Sequence, residues 1–128
     1  HLFLYGTLMQ GFPNHDRFGL PKALRFISGA CVKGKLYDLG DYPGLVLDGD
    51  ADVQGELFAI TDPAIISVLD DWEAFREGDP ASEYIRLAET LCDPAGMVAH
   101  MYRYNFPIID APLIPHGNWR KHKKADPH

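Results

Sequence analysis

Residues 3–11, "FLYGTLMQG", read as a strand that breaks open almost as soon as it starts. Phe3, Leu4 and Tyr5 extend the apolar run begun at Leu2, and Gly6-Thr7 ends it. A strand ending on glycine leaves main-chain N–H groups without ladder partners. Where such groups converge they form a concave anion site. Glycine, lacking Cβ, also lets a ligand approach the main chain closely. Taken alone, a glycine after a strand is most often just a turn.

Working outward, strand signals dominate. After "LFLY" (2–5) come "ACVKGKLYDL" (30–39), "LVL" (45–47), "VQGELFAI" (53–60), "YIRLAETLC" (84–92) and "MVAHMYRYN" (97–105). Residues 53–60 alternate most clearly, with Val53, Leu57 and Ala59 opposite Phe58 and Ile60. "DPAG" (93–96) closes a hairpin between the last two strands. One helix is strongly signalled over 61–75, with Asp62 as N-cap, Pro63 at the first helical position and Ile65, Leu69 and Trp72 on one face. A second is expected near 20–27. The fold class that follows is α+β: a small, mostly antiparallel, closed β-barrel of about six strands with a few helices packed outside.

The chain has 128 residues, enough for one domain. That domain is expected over 1–119, with 120–128 a frayed, solvated tail. Its net charge of −6 argues against general nucleic-acid binding. No apolar run approaches the ~20 residues of a membrane span. No signal-peptide pattern is read at the start, and strand-like sequence follows His1 at once, so a few residues are expected to precede it. Cys31 and Cys92 read as two buried thiols in a reducing, cytoplasmic compartment, with a disulfide left open. The six histidines show no zinc-site spacing, so no metal site is expected.

Among the acids of "LDDWEAF" (69–75), helical rotation puts Glu73 at the edge of the apolar stripe. Asp70 points well away from it and Asp71 lies past its other edge. A carboxyl against apolar walls has its pKa raised, as a proton shuttle near neutral pH requires. The alternative is a surface glutamate near a helix end. Glu56 is a second candidate for an interior acid, though half of strand positions face solvent. Tyr84 and Tyr102 read as aromatic lining, with hydroxyls that could reach a pocket.

The pieces "LYGTLMQGFPNH" (4–15), "YPGLV" (42–46), "VQGELFAI" (53–60), "LDDWEAF" (69–75) and "SEYIR" (82–86) together resemble the gamma-glutamylcyclotransferase-like family, in its gamma-glutamylamine branch. The resemblance implies a closed barrel. It implies that Tyr5, Gly6, Thr7 and Leu8 hold a gamma-glutamyl group and that Glu73 is the acid/base. The expected reaction closes that group to 5-oxoproline and releases the attached amine, without cofactor. Expected partners are a small gamma-glutamyl substrate and, in solution, no more than a weak homodimer. Two alternatives stay open: a non-catalytic ligand-binding barrel, and an amide hydrolase in which Glu73 activates water. Two departures stand out. Ala74 follows the glutamate where some relatives have glycine, and "REGDPA" (76–81) lengthens the link to the next strand, which leaves the substrate less certain than the reaction.

Overall fold

The computed structural model of the chain describes residues 1–125. Its strands are β1 (Leu2–Leu4), β2 (Leu24–Lys33), β3 (Lys35–Asp38), β4 (Pro43–Val46), β5 (Asp52–Ile60), β6 (Tyr84–Thr90) and β7 (Val98–Tyr104). Helices α1 (Pro13–Arg17) and α2 (Leu20–Ala23) lie between β1 and β2, α3 (Ile65–Trp72) between β5 and β6, and α4 (Trp119–Ala125) follows β7. None of the helices is long and apolar enough to cross a membrane.

The expected closed barrel is not formed. Five strands make one mixed sheet in the order β2-β5-β1-β7-β6, and β3 and β4 pair separately. β1 sits in the middle, antiparallel to β5 and parallel to β7. Leu2, Phe3 and Leu4 are all buried. Successive strand residues point to opposite faces, so both faces of the sheet are covered there. The two edge strands approach only at one end, where Cys31 bridges Asp93 and no ladder continues. The stretch 30–39, expected as one strand, breaks at Gly34 between β2 and β3, which enter different sheets. That break divides the strands over two sheets and leaves the larger one open.

Other expectations shift as well. The helix expected near 20–27 ends at Ala23, because Leu24 and Phe26 pair with Ile60 and Phe58 of β5. Tertiary pairing overrides a weak local preference there. The hairpin at 93–96 stands, with β6 and β7 antiparallel from Tyr84↔Tyr104 to Thr90↔Val98. Cys31 and Cys92 are joined as a disulfide, with Cα atoms 5.6 Å apart, and are not separate thiols. The compartment inferred from free thiols loses that support. Residues 120–125, expected to fray, belong to α4, which is anchored by fully buried Trp119, an Arg120–Glu56 ion pair at 3.0 Å and a His122–Asp38 contact at 2.9 Å. The rest of that expected tail, 126–128, lies outside the described residues.

Helix α3 begins three residues after Asp62, which still serves the helix start. Its Oδ1 accepts the Ala64 N–H at 3.1 Å and its carbonyl accepts the Ile65 N–H. Ile65 and Leu69 enter the core, while Trp72 stays 43% exposed and stacks on Phe18 at 4.8 Å. The far end closes with Ala74 N–H to Asp71 O and Phe75 N–H to Asp70 O. This is a Schellman motif, which needs a left-handed residue at Ala74. Ala74 adopts it, with φ of 53°. Glycine at this position would sit without that strain.

Two stability predictions follow. Ala74→Gly is expected to stabilise the chain by about 1 kcal/mol by relieving the left-handed backbone; denaturant titration checks it, and an unchanged or lowered midpoint contradicts it. Trp119→Ala is expected to cost roughly 3–5 kcal/mol, as for other large buried side chains. A midpoint shift under 1 kcal/mol would mean that α4 does not contribute to the core.

Candidate active site

The strand break at Gly6 opens onto a cavity of about 160 Å³. Its inner walls include Phe3, Leu4, Tyr5, Leu8, Pro43, Tyr84 and Tyr102, and Gly6, Thr7, Tyr42, Trp72, Glu73 and Glu83 complete it. The 5–8 loop, Glu73, Tyr84 and Tyr102, all candidates from the sequence, thus line one cavity, and Glu56 does not. The volume is below the 300–1,000 Å³ of pockets for drug-sized ligands and suits an amino-acid-sized group.

The loop reaches the cavity because β1 is held in register and then released. Leu4 pairs with Glu56 and the ladder stops. Met9 N–H returns to Gly6 O at 3.1 Å and closes a turn. The amides of Gly6, Thr7 and Leu8 have no protein acceptor among the described residues. Pro43 packs directly on Gly6: a Cβ there would lie 2.8 Å from Pro43 Cγ. Buried His15 holds the loop from behind through Nδ1 on Leu8 O at 2.8 Å.

Glu73 caps the C-terminal end of α3, its own N–H on Leu69 O at 2.8 Å. Its carboxyl is pushed up from the ordinary 4.5 to about 8, chiefly by burial and then by the nearby Glu83 carboxylate. No hydrogen bond to a described residue offsets that cost. The expectation of an acid on the inner edge of the stripe agrees with this placement.

Tyrosine hydroxyls stitch the walls. Tyr5 Oη donates to Tyr102 O at 2.6 Å and accepts the Leu45 N–H at 3.3 Å. Tyr84 Oη donates to Pro43 O at 2.8 Å. Burial raises the pKa of Tyr5, Tyr84 and Tyr102, so all three remain neutral donors.

Asp70, which the helical projection turns well away from the apolar stripe, accepts Arg86 Nε at 2.9 Å and the Tyr102 hydroxyl at 2.6 Å. The projection located the core stripe but carried no information about β6 and β7, which supply those partners. Glu56 is interior but faces elsewhere, bound to Arg120 and the Gln10 N–H. The reading from sequence missed Glu83, which lines the cavity and accepts the Tyr42 hydroxyl at 2.8 Å. That bond raises the Tyr42 phenol to about 12. The acid's place beside Tyr84 in "SEYIR" was the available signal. Among the described residues the cluster able to bring metal-ligand atoms together is Cys31, Asp52 and Cys92, and the disulfide there leaves no thiolate to offer.

Comparison with known proteins bears on this arrangement. The chain is 34% identical over 118 residues to the gamma-glutamylcyclotransferase family protein ytfP of Citrobacter rodentium, covering 92% of this chain and 93% of that one. It is 30% identical over 107 residues to the gamma-L-glutamyl-butirosin B gamma-glutamyl cyclotransferase of Niallia circulans, covering 82% and 67%. The solution structure of ytfP from Escherichia coli superposes with a TM-score of 0.68 at 28% identity, over 95% and 97% of the two chains. The family described as gamma-glutamyl cyclotransferase, AIG2-like, matches residues 2–121, and it is to this family that the chain belongs.

Proposed function

We propose that the protein is a cyclotransferase that closes the gamma-glutamyl group of a gamma-glutamyl amine or peptide to 5-oxoproline, with Glu73 as the acid/base. The observation that carries this reading is a desolvated, unpaired carboxyl in the same small cavity as three unsatisfied amides. One relative bears the name of a gamma-glutamyl cyclotransferase acting on gamma-glutamyl-butirosin B.

The substrate carries its nucleophile and electrophile in one molecule. Its α-amine lies a few atoms from the side-chain amide, and a folded-back conformer brings them together. Good alignment of this kind is worth roughly 7–11 kcal/mol of barrier. A cavity of about 160 Å³ walled by Tyr5, Leu8, Pro43 and Tyr84 favours the folded conformer over the extended one.

Glu73 takes a proton from the α-ammonium. The freed amine attacks the amide carbon, forming the new C–N bond of the lactam and placing negative charge on the carbonyl oxygen. Glu73 delivers that proton to the departing nitrogen as the old C–N bond breaks and the oxyanion collapses to the lactam carbonyl. The second proton still held in excess by the attacking nitrogen passes to the released amine, which departs as its ammonium. A carboxyl with pKa about 8 can do both. Among the described residues no Lys, Arg or His lines the cavity, so the substrate's α-carboxylate and the developing oxyanion fall to the amides of Gly6, Thr7 and Leu8. One such donor typically contributes about 3–4 kcal/mol.

Glu73→Gln keeps the shape and removes the proton carrier. We expect kcat to fall roughly 100- to 10,000-fold with KM changed only a few-fold, measured as 5-oxoproline release from a panel of gamma-glutamyl amines and peptides. Parent-rate release by the variant refutes the assignment, and free glutamate in place of the lactam identifies a hydrolase.

The pH dependence follows from the same acid. The base form is needed to begin, so kcat/KM should rise with pH and level off above about 8. The bound ammonium favours the carboxylate, so the acid limb of kcat should lie lower. For stability the sign is opposite. The folded-state pKa exceeds the unfolded value, so stability contributed by the protonated form is present below about 4.5 and lost as pH rises to about 8. Glu73→Gln should therefore raise Tm at pH 9 relative to the parent and change it little at pH 4. An equal effect at both pH values contradicts a buried, uncompensated carboxyl.

A further inference from the structure

We propose that Glu83, which shares the cavity lining with Tyr42 and Trp72, is a specificity site that selects gamma-glutamyl compounds whose leaving amine carries a second positive charge. This rests on the cyclotransferase reading of the cavity and narrows it to a substrate class.

Tyr42 and Trp72 form the outer end of the cavity, and Glu83 joins them through the Tyr42 hydroxyl. Tyr42 is 40% exposed and Trp72 is 43% exposed, whereas the side walls made by Tyr5, Leu8, Pro43, Tyr84 and Tyr102 are buried. A gamma-glutamyl group bound inside, with its amide carbon beside Glu73, must send its leaving amine out past this rim. Whatever the amine carries meets Glu83 there.

Glu83 is held in place. Its N–H donates to Ala74 O at 3.1 Å, and its carbonyl accepts the Asn105 N–H at 2.9 Å. Its Oε2 accepts the Tyr42 hydroxyl at 2.8 Å. The preceding segment, which lengthens the link from α3, is tied down as well. The Ser82 hydroxyl accepts the Arg76 N–H and donates to Arg76 O, and Asn105 Nδ2 donates to Pro80 O and Ser82 O. A segment fixed at both ends delivers this carboxylate to the rim without the conformational cost of ordering it on binding.

The charge balance points to a cation. No basic side chain lines the cavity, and Glu83 joins no ion pair among the described residues. It stands near a second acid, Glu73, whose own carboxylate lacks a protein partner. An ammonium at the rim would meet one fixed carboxylate in a lining that also holds two aromatic side chains, Tyr42 and Trp72. A leaving group bearing a carboxylate, as in a gamma-glutamyl amino acid, would meet like charge at the same place.

The test compares three substrates: gamma-glutamyl-1,4-diaminobutane, gamma-glutamyl-pentylamine, in which a methyl replaces the ammonium, and gamma-glutamyl-4-aminobutyrate. We expect kcat/KM for the diamine to exceed that for the pentylamine by about tenfold or more at low ionic strength. The ratio should shrink as salt screens the charges. Glu83→Gln should bring it to near one, and Tyr42→Phe, which removes the hydroxyl that fixes the carboxylate, should lower it part of the way. Because a ratio is read, a variant with less folded protein still reports. A parent ratio near one, or a ratio untouched by Glu83→Gln, overturns the specificity site while leaving the cyclotransferase reading intact. A uniform loss across all three substrates in Glu83→Gln also overturns it, since Glu83 would then serve the shared glutamyl part. No lactam from any of the three overturns both.

Discussion

The Tyr5 hydroxyl is the bond on which the geometry of the cavity depends. It donates to the Tyr102 carbonyl in β7 and accepts the Leu45 amide of β4, so one buried oxygen joins the large sheet to the small one. Away from water, neither partner can be replaced without leaving a polar group unsatisfied, which costs about 1–3 kcal/mol. Tyr84 repeats the arrangement from β6 to the Pro43 carbonyl. Because Pro43 also packs on Gly6, these contacts set the spacing between the small sheet and the amides of the loop. The opening at the end of β1 thus keeps a fixed shape without any strand ladder across it.

Two acids on one short stretch show how environment assigns chemistry. Asp70 and Glu73 lie three residues apart, and Asp70 is neutralised by Arg86 and the Tyr102 hydroxyl. Its charge is spent on tying α3 to β6 and β7. Glu73 receives no such partner and stands half-buried in the cavity beside aromatic walls, where desolvation raises its carboxyl to about 8. A carboxylate with a bidentate cation is a structural tie; one without a partner in a cavity is available for proton transfer. The Schellman turn at Ala74 keeps the two in these separate settings by ending the helix just past Glu73.

Much of the site was legible along the chain. Leu2–Tyr5 followed by Gly6 marked a strand break that read as a turn or an amide cradle, and Glu73 at the edge of the Ile65/Leu69 stripe read as an interior or a surface acid; both line the cavity. Both depend on local periodicity, which side-chain spacing carries directly. Closure of the sheet was not legible. Gly34 looks the same inside one strand as at a corner between two, and only the pairing of β3 with β4 tells them apart. The basic end of the chain looked solvated because the fully buried Trp119 stood at its boundary with no apolar repeat around it.

By itself, then, the sequence pointed to the main helix, to most of the strands, to the glycine break after β1 and to an acid at the edge of the apolar stripe. These follow from the periods of strand and helix and from glycine's missing Cβ. Only the tertiary structure decided that the sheet stays open, that Asp70 is consumed by Arg86, that Cys31 meets Cys92 and that Glu83 stands at the mouth of the cavity. Each of these joins residues far apart in the chain or turns on which strands pair. Their contact is set by the competition among all strand pairings at once, which no local pattern records.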